Sequence, residues 1–160
     1  MKKVVALIIF LFAVSYAAAL PVRADFGTGS AQYDLPYPGV LPDSPLWPVK
    51  DLRDRLIGLF IFDPVAKGHY EVRLADKKLA MAQVLINSGQ KELGEKALTW
   101  AADGYNRAVD KVEEAKLKKL KYETLISRLS LFASKYNDSV GLSQPIHRIK
   151  KLFTDQFSNP

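Results

Sequence analysis

The chain of 160 residues contains no cysteine, and only two histidines, two methionines and two tryptophans. The missing cysteine excludes disulfides, thiolate metal ligands, thioether-linked haem and thiol catalysis. It also excludes a lipid anchor attached through a lipobox thiol. A domain of this composition outside the cytoplasm has to be held by its core alone. Long period-two alternation is missing as well, so no sheet is expected. Glycine-rich phosphate loops, nucleophile elbows and paired metalloprotease histidines are all absent.

A tripartite N-terminus is present. Met1-Lys2-Lys3 is a short basic start, Val4 to Tyr16 is an uncharged apolar run, and Ala17-Ala18-Ala19 and Val22-Arg23-Ala24 offer small-x-small cleavage sites. This is the layout of a secretory signal peptide over residues 1–24. The run of about 13 residues falls short of the roughly 20 that a spanning helix needs. Cleavage after Ala24 is the expectation, with an uncleaved anchor as the alternative. Cleavage would leave 136 residues of net charge +3, enough for one domain. Charge is uneven: residues 25–110 are net −2, whereas residues 111–160 are net +5.

Residues 25–44 read as an extended segment broken by Gly27, Gly29, Pro36, Pro38, Gly39 and Pro42. Tyr33, Leu35, Tyr37, Val40 and Leu41 make it too apolar for a solvated tether, so it is expected to lie in a groove of the helical domain spanning 45–160. Asp43 or Ser44 offers a first helix cap, and Val49, Leu52, Leu56, Leu59 and Phe60 give that helix one apolar face. Asp63-Pro64 is a second cap, opening a helix to Ser88 with a stripe of Val72, Ala75, Leu79, Ala82, Leu85 and Ile86. Gly89 is placed to close it in the left-handed conformation. A third helix from Gln90 carries Leu93, Ala97, Trp100, Ala101, Ala108, Val112 and Ala115 inward, antiparallel to the second because the connection is short. A fourth is expected over 118–136, with Leu125, Ile126, Leu129, Phe132, Ala133 and Tyr136 on one side. A fifth starts at Ser143, with Ile146, Ile149, Leu152, Phe153 and Phe157 repeating at helical spacing. Alanine-rich inner faces allow close helix approach. The fold class expected is all-α: an antiparallel bundle of four to five helices preceded by a proline-rich extended segment.

Three stretches carry a resemblance: Leu35-Pro36-Tyr37-Pro38-Gly39-Val40-Leu41-Pro42-Asp43-Ser44-Pro45, then Leu52-Arg53-Asp54-Arg55, then Asp63-Pro64 leading into Ala75-Asp76-Lys77-Lys78-Leu79-Ala80. In order and spacing they resemble a bacterial family of extracytoplasmic helical domains without an assigned activity, over about residues 33–115. The resemblance implies an all-helical envelope domain and brings no catalytic residues. The hairpin around Gly89 also resembles a tetratricopeptide unit, but a single unit does not make a solenoid.

Candidate chemistry is sparse. His69 and His147 lie in different helices without a partner at i+3 or i+4, which zinc would favour. Asp51/Asp54, Glu92/Glu95, Asp110/Glu114 and Glu113/Glu114 are carboxylate pairs of the kind glycan hydrolysis uses. Three of these acids have a base four residues on, Asp51–Arg55, Glu92–Lys96 and Glu114–Lys118, with Asp103–Arg107 as a further such pair. These read as helix ion pairs. Tyr33, Tyr37 and Trp47 offer a stacking platform or, on the simpler reading, a seal for the open end of the bundle. The remaining signal is basic: Lys116, Lys118, Lys119 and Lys121, with Arg148, Lys150 and Lys151, form a candidate contact patch for an anionic surface. The simpler reading of the lysine run is a solvated helix end.

The sequence therefore reads as a secreted or envelope-associated, non-catalytic interaction or scaffold domain. No catalytic residue, metal ligand or cofactor is assigned. Its partner would be a protein or an anionic envelope surface. Nucleic acid is not expected, and membrane contact would be peripheral or through an uncleaved N-terminus. The competing reading is a binder of a small molecule, peptide or metal in an interhelical groove, or an envelope enzyme of unfamiliar type.

Overall fold

The structure is a computed structural model and describes residues 33–157. The secretory segment expected over 1–24, its cleavage sites, residues 25–32 of the extended stretch and the side chain of Phe157 lie outside the described residues. Among the described residues the fold is all-helical: α1 (Trp47–Leu59), α2 (Pro64–Asn87), α3 (Lys91–Leu117), α4 (Glu123–Lys135), a 3₁₀ turn (Val140–Leu142) and α5 (Ser143–Phe157).

The α2–α3 hairpin is the backbone of the bundle. Asp63 caps α2 by accepting from Ala66 N at 2.7 Å, with Pro64 in the first helical position, where its missing N–H costs nothing. Gly89 closes α2 at φ 85°. Its N–H donates to Ile86 O at 3.1 Å, and Gln90 N donates to Leu85 O at 2.8 Å. This is the doubled bond pattern that satisfies the last carbonyls of a helix. The two helices then approach so closely at Gly104 that an added Cβ would lie 2.9 Å from Ala75 Cβ. The main core sits on this hairpin. Val72, Leu79, Tyr105, Val109 and Val112 meet Leu125, Leu129 and Phe132 of α4, Leu142 of the 3₁₀ turn, and Ile146 and Ile149 of α5. A smaller cluster of Met81, Ala82, Leu85 and Ala97 is covered by Leu41, Trp47 and Trp100. The stripes expected on α2, α3 and α4 are the faces that pack, except that Ile86 is exposed.

The end of α3 repeats the closing pattern of α2 without the glycine. Lys119 N donates to Lys116 O and Leu120 N to Ala115 O, both at 3.0 Å, with Lys119 at φ 55°. A left-handed L-residue is disfavoured by about 1–2 kcal/mol, partly offset in glycine by its greater freedom when unfolded. Lys119→Gly is therefore expected to stabilise the protein by about 0.5–1 kcal/mol in urea titration. This turn also corrects the fourth helix, which begins at Glu123 rather than Lys118. Residues 118–122 are spent closing α3 and reversing the chain.

Two expectations for α1 are overturned. Neither Asp43 nor Ser44 caps it as proposed: the helix begins at Trp47 after Leu46, with no side-chain cap bond. Turns through Ser44 N→Leu41 O and Trp47 N→Ser44 O precede it, and its first helical bond is Lys50 N→Leu46 O; Pro48 stands in the first turn, where its missing N–H removes no intrahelical bond. More consequentially, the face of Val49, Leu52, Leu56, Leu59 and Phe60 points outward. The helix instead turns Trp47, Lys50, Asp54 and Gly58 to the bundle. Trp47 stacks on Trp100 at 5.8 Å, Tyr70 Oη donates to Asp54 O at 2.7 Å, and Lys67 Nζ donates to the carbonyl of Gly58. Polar anchors thus decide the orientation of α1 against its hydrophobic pattern.

The extended stretch is tied down at its described start. Tyr33 is buried and Leu35 packs against the main core, whereas Tyr37 is exposed.

Candidate interaction surface and the buried polar cluster

The structure divides the seven basic residues into groups with different surroundings. Lys116 lies in the last turn of α3, and Lys118, Lys119 and Lys121 in the connection to α4. All four are exposed. Lys118 Nζ meets Glu114 Oε1 at 2.7 Å, and Lys111 takes the other oxygen at 2.6 Å. These hydrogen bonds hold the Glu114 carboxyl well down, to about 2. Arg148, on α5, is neutralised across the helix pair by Asp110 at 2.8 Å and Glu113 at 3.3 Å. Lys150 is hydrogen-bonded to Asn137, while Lys151 is exposed. The lysine run is thus a basic surface of its own, and Arg148 serves to fasten α5 to α3.

The expected ion pairs at i,i+4 form at Asp51–Arg55, Glu92–Lys96 and Glu114–Lys118. The one at Asp103 does not: Arg107 Nε reaches across to Glu71 Oε2 at 2.9 Å, joining α3 to α2. His69 Nε2 lies 3.2 Å from Thr124 Oγ1, linking α2 to α4, and burial first, then Arg128 and Arg73, lowers its pKa. Tyr33, Tyr37 and Trp47 share no platform, because Tyr33 enters the core and Trp47 packs on Trp100. Among the described residues no group of three or more His, Cys, Asp or Glu could hold a metal ion, and no helix is long and apolar enough to cross a membrane.

Sequence reasoning missed two features. The first is Asp76, fully buried on α2. Its Oδ1 accepts from Tyr105 Oη at 2.7 Å and from Tyr33 Oη, and its Oδ2 from Arg128 Nη2 at 2.6 Å. Lys135 Nζ donates to the Tyr33 carbonyl, adding a second tie to the extended stretch. One carboxylate therefore joins α2, α3, α4 and the extended segment. Helical spacing does mark it as an acid on the packed face, since Asp76 lies four residues after Val72 and three before Leu79, but it names none of the partners.

Burial first, then the Asp76 charge, raises Tyr33 beyond the usual tyrosine range. Burial, with Tyr33 and Asp76 behind it, does the same to Tyr105. Tyr70 is pushed up to about 12 by burial and then by Asp54. A phenol whose folded pKa is raised contributes stability that is complete below the unfolded value near 10 and is lost as pH rises above it. Stability measured by urea titration is accordingly expected to fall steadily from pH 10 to 12. Absorbance at 295 nm should show these phenols ionising later than free tyrosine.

The second missed feature is the apolar run Leu56-Ile57-Gly58-Leu59-Phe60-Ile61-Phe62, in which Leu56, Ile57, Leu59, Phe60 and Phe62 are exposed while Gly58 faces the bundle and Ile61 is half-buried. Here the sequence did hold a signal: seven consecutive apolar residues are wider than the single stripe a surface helix buries.

The geometry defines a small helical-bundle domain, locked by a buried carboxylate and carrying a basic, partly apolar surface. The chain matches the family described as Domain of unknown function (DUF5667) over residues 39–140, and it belongs to that family. The match runs past residue 115 and through α4. No curated protein and no solved structure matches the chain.

Proposed function

We propose that this protein is an exported, envelope-associated domain that works by presenting a helical surface to an anionic partner rather than by catalysis. The observation that carries the reading is the exposed run Lys116-Leu117-Lys118-Lys119-Leu120-Lys121, which has no acidic residue within it. The N-terminal layout supports export, because a basic start, a short apolar run and small-x-small sites are what secretion machinery reads.

Two measurements test the reading. Fractionation of cells expressing the tagged full chain should place it outside the cytoplasm. Isolated envelopes should retain it at low salt and release it at high salt, because exposed charges separated by more than about 8 Å are screened at physiological ionic strength. Recovery from the cytosol, or retention indifferent to salt, would overturn the reading.

A further inference from the structure

The loop joining α1 to α2 and the connection joining α3 to α4 lie at the same end of the molecule. α2 begins at Pro64, directly after the first loop, and α3 runs antiparallel to it. Near this end, a Cβ on Gly68 of α2 would lie 3.3 Å from Lys111 Cβ of α3, and His69 lies 3.2 Å from Thr124 at the start of α4. Large apolar side chains project from both connections: Phe60 is 75% exposed, Phe62 86% and Leu117 85%. Leu59 continues the set onto the last turn of α1. Lys116, Lys118, Lys119 and Lys121 stand at the same end. The acids nearby in sequence are Asp63, used as the α2 cap, Glu113, which meets Arg148, Glu114, held by Lys111 and Lys118, and Glu123 in the first turn of α4.

We propose that this end of the bundle docks on an anionic lipid bilayer, with Phe60, Phe62 and Leu117 entering the interface and the lysines meeting the headgroups. Apolar side chains fringed by lysine are the chemistry of an interfacial membrane contact, in which lysine stems lie along the apolar layer and their ammonium groups reach the phosphates. A bilayer has no fixed shape, so apolar residues from two separate connections can enter it together. A second copy is the poorer occupant, because an isologous contact would bring each lysine set against its own kind. The proposal rests on the envelope reading above and names the surface that the basic end meets.

The absence of cysteine allows a single environment-sensitive fluorophore to be placed at will in the full-length chain. Phe62→Cys reports on the proposed tip. Asn87→Cys reports on the far end of α2, about 35 Å away at 1.5 Å per residue. With vesicles of phosphatidylcholine and phosphatidylglycerol, the label at 62 should shift to the blue and brighten, while the label at 87 should not change. Each label reads its own position, so attachment through any other segment cannot imitate this result. Combining Lys116→Gln, Lys119→Asn and Lys121→Gln should raise the lipid concentration required by about fivefold per lysine, on the order of a hundredfold in all. Circular dichroism verifies that the variant remains folded.

Four results would overturn the proposal: unchanged emission at 62; an equal shift at 87; a shift on pure phosphatidylcholine that ignores the lysines; or a shift at 62 that grows with protein concentration without lipid, which would identify a second copy as the occupant. Failure here with extracytoplasmic fractionation intact would leave the envelope reading standing, since the two are measured separately.

Discussion

Replacing Asp76 with alanine is expected to cost about 3–5 kcal/mol of folding stability, the range for removing one partner of a buried, hydrogen-bonded charge. Asp76 is fully buried and accepts from three side chains on three different segments. Its removal takes the shared acceptor from two buried phenol hydroxyls, and a buried donor left without its acceptor bears a desolvation cost. Arg128 is penalised less, because its side chain is 39% exposed and water can replace the lost carboxylate. Asp76→Asn keeps the shape and an acceptor but loses the charge, so its cost should lie below that of alanine. Urea titration of the two variants distinguishes a charge effect from a packing effect. A cost under 1 kcal/mol for Asp76→Ala would show that the cluster does not clamp the fold.

Phe132→Ala comes second in size. Phe132 is fully buried, stacks on Tyr105 at 3.7 Å and 20°, and lies 5.9 Å from Tyr33 and 5.3 Å from Tyr136. Deleting a buried phenyl ring typically costs about 3–5 kcal/mol, from lost burial plus the cavity left behind. Phe132→Leu retains much of the volume and should cost clearly less. The same ring supports Tyr33, so near-ultraviolet circular dichroism should weaken in Phe132→Ala even where the variant remains folded. Asp76 and Phe132 share Tyr33 and Tyr105 as neighbours, so the double variant should lose less than the sum of the two.

Much of the helical layout is legible in the sequence, because the signals are local. Asp63 followed by Pro64 specifies a helix start through one cap bond and one tolerated proline, and Gly89 specifies a stop through a left-handed residue. The stripes of α2, α3 and α4 follow from apolar residues at spacings of three and four, and the core uses those faces. The stop at Lys119 was not legible, since nothing about a lysine announces φ 55°. The fourth helix therefore starts at Glu123, five residues later than its apolar spacing suggests.

The surface is legible only in part. The lysine run is visible as charge, but its grouping with Arg148 dissolves once Asp110 and Glu113 occupy that guanidinium. Two acids on another helix cannot be assigned to Arg148 by sequence spacing. Nor can the apolar loop at Phe60–Phe62 and the lysines 116–121 be placed together without the antiparallel hairpin that brings both to one end.

By itself the sequence determined that this chain builds several amphipathic helices without disulfides, because caps, glycine stops and hydrophobic period act within one or two turns. Only the tertiary structure decided which way α1 faces, that Asp76 ties four segments at once, and that the basic and apolar connections share one end. Each of these depends on groups distant in the chain, such as Tyr33 and Asp76, whose interaction strength is set by burial, and burial exists only once the helices have packed.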